Sequence, residues 1–180
     1  MSEEIRATES CSDGQCASRP KLLDCHTHSH EVGCQAIRSL TYTEWSDDIT
    51  VEEGQLYSIG FHPWSLPPAG SLVALIDQMQ SRLSSTPQIV AVGECGVDKV
   101  RSNATLSEQL VWLEAQMRLA CQLDRPILLH AVRAWAEMIE IRSQMAQEFA
   151  QLPPMVLHGF RARGEVAQMM LSKGFVLSFG

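Results

Sequence analysis

The chain has 180 residues, of which 45% are hydrophobic and 19% charged, and its formal net charge is −7. This size and composition predict one soluble globular domain, since no apolar run reaches the ~20 residues that a transmembrane helix needs. The acidic balance excludes a global basic field, so any contact with nucleic acid has to be local.

The first part of the chain is polar, rich in Ser and Glu, and ends at Pro20. It predicts a flexible extension over residues 1–20, followed by a folded domain over residues 21–180. Glu3 and Glu4 stand where a signal peptide carries basic residues, and no apolar region follows them. A cytoplasmic location is therefore expected, and with it free thiols at the six cysteines.

Short apolar runs of strand length then recur along the chain, several of them bounded by Pro or Gly. These runs are KLLDCHT, QAIRSLTY, QLYSIGF, QIVAVGE, RPILLHAV, PMVLHGF and GFVLSFG. The connection SHEVGC between the first two runs is shorter than the dozen residues of an ordinary parallel crossover. The second run is therefore expected to pair unusually or to lie outside a barrel.

Helical spacing of apolar residues appears between the later runs. It is seen in LSEQLVWLEAQMRLACQL, with Thr105 or Ser107 as the N-cap, in AWAEMIEIRSQMAQEFA, and in GEVAQMMLSKG, which closes on Gly174. Strands that alternate with helices predict βαβ units and a parallel sheet.

The first run ends in a His-x-His pair, His26 and His28, whose side chains share one face of a strand. Such a pair is either the start of a metal site or two polar groups satisfied by their surroundings. Further ionisable residues end the later runs, namely His62, Glu94, His130 and His158. Because the carboxyl ends of barrel strands converge on one face, one shared site is expected there.

The segments DCHTH, GFHP, GECGVD, PILLH and LHGF occur in the order and approximate spacing of the TatD family of metal-dependent hydrolases. The chain resembles that family, within the amidohydrolase superfamily, over residues 21–180. The resemblance implies an α/β fold of the TIM-type (β/α) barrel, with seven of the eight strands present. It also implies phosphodiester hydrolysis of the 3′-5′ DNA exonuclease type, by a metal-activated water.

The same resemblance implies one or two divalent ions, with Mg, Mn and Zn left open, and a nucleic acid or phosphodiester substrate. No membrane partner is implied, and the oligomeric state stays open. By motif, His26 and His28 would bind a first metal, Glu94 would bridge two metals, and His130 and His158 would bind the second.

Other residues near these motifs have weaker assignments. Glu94 and His62 are the candidate catalytic residues, and His62 either hydrogen-bonds the scissile group or is structural. Asp24 is expected to support a metal ligand without binding the metal itself. Arg161, like Arg163, either clamps a phosphate or is solvated. Trp64 either packs within the fold, as Trp112 and Trp135 are expected to do, or it stacks a base or lines the pocket.

Two features depart from the family pattern. The family's eighth strand supplies an aspartate ligand, whereas this sequence reaches LSFG in the seventh strand, so the final unit is expected to be absent. After the fifth strand the family's His-x-Arg is replaced by His130-x-x-Arg133, which makes Arg133 a doubtful substrate ligand. Hydrolysis of an amide, lactone or phosphotriester, and a non-catalytic binding role for a truncated barrel, remain alternatives.

Overall fold

The computed structural model describes residues 23–27, 35–47 and 51–179, without the side chains of residues 23–26 and 35. The predicted extension over residues 1–20 and the predicted ligand His28 lie outside the described residues. The backbone of Asp24 and His26 is described. Cys95 and Cys121 are buried free thiols, as predicted.

The strands form one parallel sheet of seven members in consecutive order. They are β1 (Leu23–Thr27), β2 (Gln35–Leu40), β3 (Leu56–Ile59), β4 (Ile89–Asp98), β5 (Ile127–Val132), β6 (Met155–Leu157) and β7 (Val176–Leu177). Every predicted run is confirmed as a strand, and the consecutive parallel order is that of a TIM-type barrel wall.

The second predicted run belongs to this sheet, so of the two alternatives the one that places it outside is wrong. Leu23 of β1 lies opposite Gln35 of β2 and Thr27 opposite Arg38, with a shift of register between them. Seven extended residues span ~23 Å, whereas a five-residue strand is only ~17 Å long. The short connection over residues 28–34 is therefore long enough to return to the start of a parallel neighbour.

Helices lie between the strands. They are α1 (Tyr42–Trp45), α2 (Leu72–Ser85), α3 (Leu106–Leu123), α4 (Trp135–Glu148) and α5 (Gly164–Ser172), with a 3-10 turn at Ala69–Ser71. The three predicted helical segments are confirmed as α3, α4 and α5, whereas α1 and α2 were not predicted. Within the described residues, no helix has both the length and the apolar character needed to cross a bilayer.

The central strands of the sheet are buried on both faces. Ile127 and Leu129 of β5 join a large core cluster with the helices, whereas Leu128 joins a smaller cluster with Ile37 and Ala91. Neighbouring residues of a strand point to opposite faces, so the smaller cluster fills the face away from the helices. This burial explains the near-continuous apolar runs in the sequence.

The N-terminus of α3 carries a reciprocal cap. Glu108 donates its backbone N–H to Thr105 Oγ1 at 3.2 Å, and its carboxylate accepts the Thr105 N–H at 2.7 Å. Thr105→Ala is expected to lower the free energy of unfolding by about 1 kcal/mol in urea denaturation. Ser107→Ala, at the other candidate cap, is expected to change it by less than about 0.5 kcal/mol. Equal losses for the two variants would contradict this cap.

Candidate functional site

Three of the predicted site residues converge at the carboxyl side of β3, β4 and β5. Glu94 Oε1 lies 3.0 Å from His130 Nδ1, and Glu94 Oε2 lies 3.7 Å from His62 Nε2. The three residues offer metal-binding atoms that all lie within 4.8 Å of one another. Glu94 is 7% exposed, so its carboxylate is held inside the fold with the two imidazoles as neighbours.

Two residues of β5 follow His130, and Glu94 likewise does not end its strand, which corrects the expectation from the sequence. It lies inside β4, which continues to Asp98. Leu129 of β5 lies opposite Cys95 of β4 on one side and opposite Leu157, the last residue of β6, on the other. Glu94, which precedes Cys95, is therefore nearly level with the end of β6. β4 therefore extends past a shorter neighbour, and Glu94 still reaches the common edge.

Glycines on both sides of Glu94 bring β4 close to β5. A Cβ added at Gly96 would lie 1.9 Å from the His130 carbonyl oxygen, and one added at Gly93 would lie 2.5 Å from the Leu128 carbonyl oxygen. Only glycine fits such close approaches. The Gly-Glu-Cys-Gly order thus sets the distance between the strands that carry Glu94 and His130.

Asp98, for which the sequence predicts no role, supports His130 from the other side of its ring. His130 Nε2 lies 3.2 Å from Asp98 Oδ2, and the indole Nε1–H of Trp64 donates to the same oxygen at 2.6 Å. The backbone N–H groups of Val100 and Arg101 donate to Asp98 Oδ1 at 2.8 and 2.9 Å. Asp98 is 1% exposed, so these donors replace water around its carboxylate.

These contacts shift the pKa values of Asp98 and His130 in opposite directions. Burial raises the pKa of Asp98, but the Trp64, Arg101, Val100 and His130 hydrogen bonds outweigh it and lower that pKa to about 2. Burial lowers the pKa of His130, but the hydrogen bonds and charges of Glu94 and Asp98 outweigh it and raise that pKa. Asp98 is thus anionic at neutral pH, and it favours a proton on the His130 ring.

Two buried glutamines of α3 fix the backbone on which this site is built. Phe61 N–H donates to Gln116 Oε1 at 2.7 Å, which holds the residue before His62. Asp98 N–H donates to Gln109 Oε1 at 2.8 Å. Gln109 and Gln116 stand seven residues apart and so face the same way on the helix. The sequence carries one signal for this role, since both glutamines stand on the apolar face of the predicted helix.

A cleft of about 260 Å³ opens over these groups. Its lining includes Glu94, His62, His130, His158 and Trp64. Trp64 thus lines the pocket, which is one of the roles that the sequence left open. His158 directly follows β6 and is half-buried. The described residues thus bring all four later ionisable residues of the sequence pattern to one cleft.

The remaining predicted residues are placed less closely. Arg161 and Arg163 follow β6 and are exposed, and Arg133 follows β5 in the left-handed region at φ 54°. His26 lies one residue before the carboxyl end of β1, and Asp24 lies two residues before His26. The side chains of Asp24 and His26 are outside the described structure, as is the whole of His28. The roles predicted for these three residues therefore remain predictions.

Comparison with known proteins gives one family. The profile of a family described as "TatD related DNase" matches residues 22–180. A 3′-5′ ssDNA/RNA exonuclease TatD of Edwardsiella piscicida is 33% identical over 116 residues, which are 64% of this chain and 40% of that protein. One of Cronobacter turicensis is 36% identical over 95 residues, or 53% and 35% of the two chains. The chain thus aligns with about two-fifths of the length of these relatives.

Solved structures show the same fold. A TatD homologue from Escherichia coli K12 aligns with a TM-score of 0.62 and 23% identity, covering 81% of this chain and 56% of that one. A TatD family hydrolase from Entamoeba histolytica aligns with a TM-score of 0.60 and 16% identity, covering 82% and 52%. The family profile matches nearly the whole sequence, and the strand order and the site motifs agree with it. This chain therefore belongs to the TatD family.

Proposed function

We propose that the cleft is a divalent-metal centre that hydrolyses phosphodiester bonds of nucleic acid, in the manner of a 3′-5′ exonuclease. The observation that carries this proposal is the placement of Glu94 between His62 and His130, with Asp98 behind His130. The exonuclease activity named for the bacterial relatives supports the substrate class.

The donor set suits a divalent ion. Metal–ligand bonds of ~2.0–2.2 Å place neighbouring ligand atoms about 3 Å apart, and Glu94 Oε1 and His130 Nδ1 are separated by 3.0 Å. A carboxylate behind the other ring nitrogen is the usual support of a ligating histidine, and Asp98 supplies it. Imidazole and carboxylate ligands accept Zn, Mn or Mg, so the metal stays open.

Further ligands are expected from β1 and β6. In this proposal His26 and His28 would hold a first ion, His130 and His158 would hold a second, and Glu94 would be shared between the two. Asp24 would support the His26 and His28 pair. When bound, divalent ions polarise a phosphoryl oxygen and make water a better nucleophile.

His62 is best suited to contact the substrate. Its Nδ1 accepts the backbone N–H of Trp64 at 3.2 Å, so the ring proton of neutral His62 is on Nε2. That N–H points toward Glu94 and the cleft, 3.7 Å from the carboxylate. A nitrogen that carries a proton cannot ligate a metal, but it can donate to a phosphoryl oxygen. His62 is therefore proposed as a residue that orients the scissile phosphate.

The loops after β4, β5 and β6 favour a polyanionic substrate. Residues 99–105, 133–134 and 158–163 follow β4, β5 and β6, and they contain no Asp or Glu. Their basic residues are Lys99, Arg101, Arg133, Arg161 and Arg163. In a chain with a net charge of −7, these three loops form a local basic rim, whereas residues 41–55, between β2 and β3, carry only acidic charges. Arg161 is the proposed phosphate ligand nearest His158 in sequence.

A labelled single-stranded DNA tests this function. Protein stripped with EDTA and supplied with Mn²⁺, Mg²⁺ or Zn²⁺ is expected to shorten a 5′-labelled oligonucleotide stepwise from its 3′ end. A 3′-phosphorothioate end is expected to block the reaction. Hydrolysis of an amide, lactone or phosphotriester without any cleavage of DNA or of a simple phosphodiester would overturn the proposal.

A further inference from the structure

Arg101 and Trp64 form a stacked pair at the rim of the cleft. The guanidinium carbon of Arg101 lies 4.0 Å from the centroid of the Trp64 ring. The same carboxylate holds both residues, because Asp98 accepts the Trp64 indole N–H at 2.6 Å and the Arg101 backbone N–H at 2.9 Å. The pair is thus anchored to the residue that supports His130.

The Arg101 guanidinium has no acidic partner among the described residues. Lys99, by contrast, is paired with Glu137 on the same rim, and Arg118 is paired with two glutamates on the outer surface. Stacking on an aromatic face leaves the N–H groups at the edge of a guanidinium free to donate. Their planar fork matches the oxygens of a phosphate. Arg101 is therefore oriented by Trp64 while its donors stay available.

The pair lies close to the reacting groups. The Trp64 ring centroid is 4.7 Å from that of His62 and 5.4 Å from that of His130. The Arg101 guanidinium stacks on that same indole. A nucleic acid strand rises about 3.4 Å per nucleotide in a duplex and further when extended. The distance from the cleft to Arg101 is thus on the scale of one or two nucleotide steps.

We propose that Arg101, held on the face of Trp64, binds a second backbone phosphate of the substrate, next to the one at the metal centre. This inference rests on the proposed nuclease function and deepens it. It makes the pair a specificity device, because an isolated phosphodiester has no second phosphate for Arg101 to bind. Oligonucleotides are then preferred over single phosphodiesters.

Binding of a labelled oligothymidylate, measured by fluorescence anisotropy in EDTA over a series of NaCl concentrations, tests the site. Arg101→Ala is expected to bind about tenfold more weakly than the wild type, since a hydrogen-bonded charge is lost. Its slope of log affinity against log salt is expected to fall by about 0.7, the value for one phosphate contact on a single strand.

Lys173→Ala is the matched control, because Lys173 is exposed, lies between α5 and β7 at the opposite edge of the sheet, and carries the same charge. It is expected to bind as the wild type does. Equal oligonucleotide affinities for Arg101→Ala and Lys173→Ala would overturn the proposed phosphate site. A wild type that binds no oligonucleotide at low salt would overturn it too.

Substitution of single phosphates separates direct contact from an indirect effect through Trp64. One methylphosphonate, which is neutral, is moved along the oligonucleotide. The wild type is expected to lose about tenfold in affinity at one position beside the 3′-terminal linkage, and Arg101→Ala is expected to lose nothing further there. Equal losses in both proteins overturn the contact. If oligonucleotide affinity depends on Arg101 but the wild type cleaves no phosphodiester with any metal, the proposed function is refuted and the Arg101 site is not.

Discussion

Replacing Glu94 by glutamine is expected to lower metal-dependent hydrolysis by roughly a thousandfold and to remove most of the bound divalent metal. The amide has nearly the shape of the carboxylate, so the close packing of β4 on β5 should survive. It lacks the charge that faces both His130 and His62. Metal content by mass spectrometry and initial rates on a phosphodiester measure the two losses.

Glu114→Gln makes the same chemical change outside the site. Glu114 lies on the outer surface of α3, where it pairs with Arg118 at 2.9 Å. Because exposed ion pairs contribute only ~0–1 kcal/mol, this variant is expected to keep its metal and its activity. Full metal content in Glu94→Gln would show that Glu94 is not a ligand. Equal losses in both variants would point to general destabilisation.

The grouping of the later site residues followed from the sequence because parallel strands all point one way. His62, Glu94, His130 and His158 belong to four successive strand units, and the cleft contains all of them. The position of Glu94 within its strand did not follow, because it depends on how far β4 extends past β6. That extension is a matter of register, which apolar composition does not encode.

The support behind His130 was missed for a related reason. Asp98 stands 32 positions before His130, and only the pairing of β4 with β5 makes them neighbours. One signal was present: Asp98 follows Glu94 by an even number of residues, so both face the same side of a regular strand. Trp64 joins Asp98 from the loop after β3, which no local pattern connects to Asp98, whereas Arg101 follows Asp98 by only three residues.

Helix α2 shows the opposite case, in which the pattern was present but not used. Leu72, Leu75, Ile76, Met79 and Leu83 recur at helical spacing, and Met79 and Leu83 are fully buried. The Pro-rich segment before the helix resembles a loop and obscures where the helix begins. The apolar spacing between β3 and β4 is nevertheless that of a helix.

Asp98→Asn is expected to weaken metal binding about 10- to 100-fold while leaving the fold intact. The asparagine carbonyl can still accept the backbone N–H groups of Val100 and Arg101. Its NH₂ group would then face the Trp64 indole and His130 Nε2, where Asp98 now offers an oxygen. The ring proton of His130 is no longer favoured on Nε2, and the lone pair is no longer directed toward Glu94. Isothermal titration with Zn²⁺ or Mn²⁺ measures the loss.

Asp124→Asn is the control, because Asp124 ends α3 in the left-handed conformation, at φ 50°, which asparagine tolerates. It is expected to bind metal as the wild type does.

The pH dependence of metal affinity is a second, independent test of Asp98→Asn. A ligating imidazole gives up its proton, so metal affinity of the wild type should fall as the pH drops below the raised pKa of His130. Since the Asp98 charge helps to raise that pKa, the fall should begin at a lower pH in Asp98→Asn. The same onset in both proteins would show that Asp98 does not control the protonation of His130.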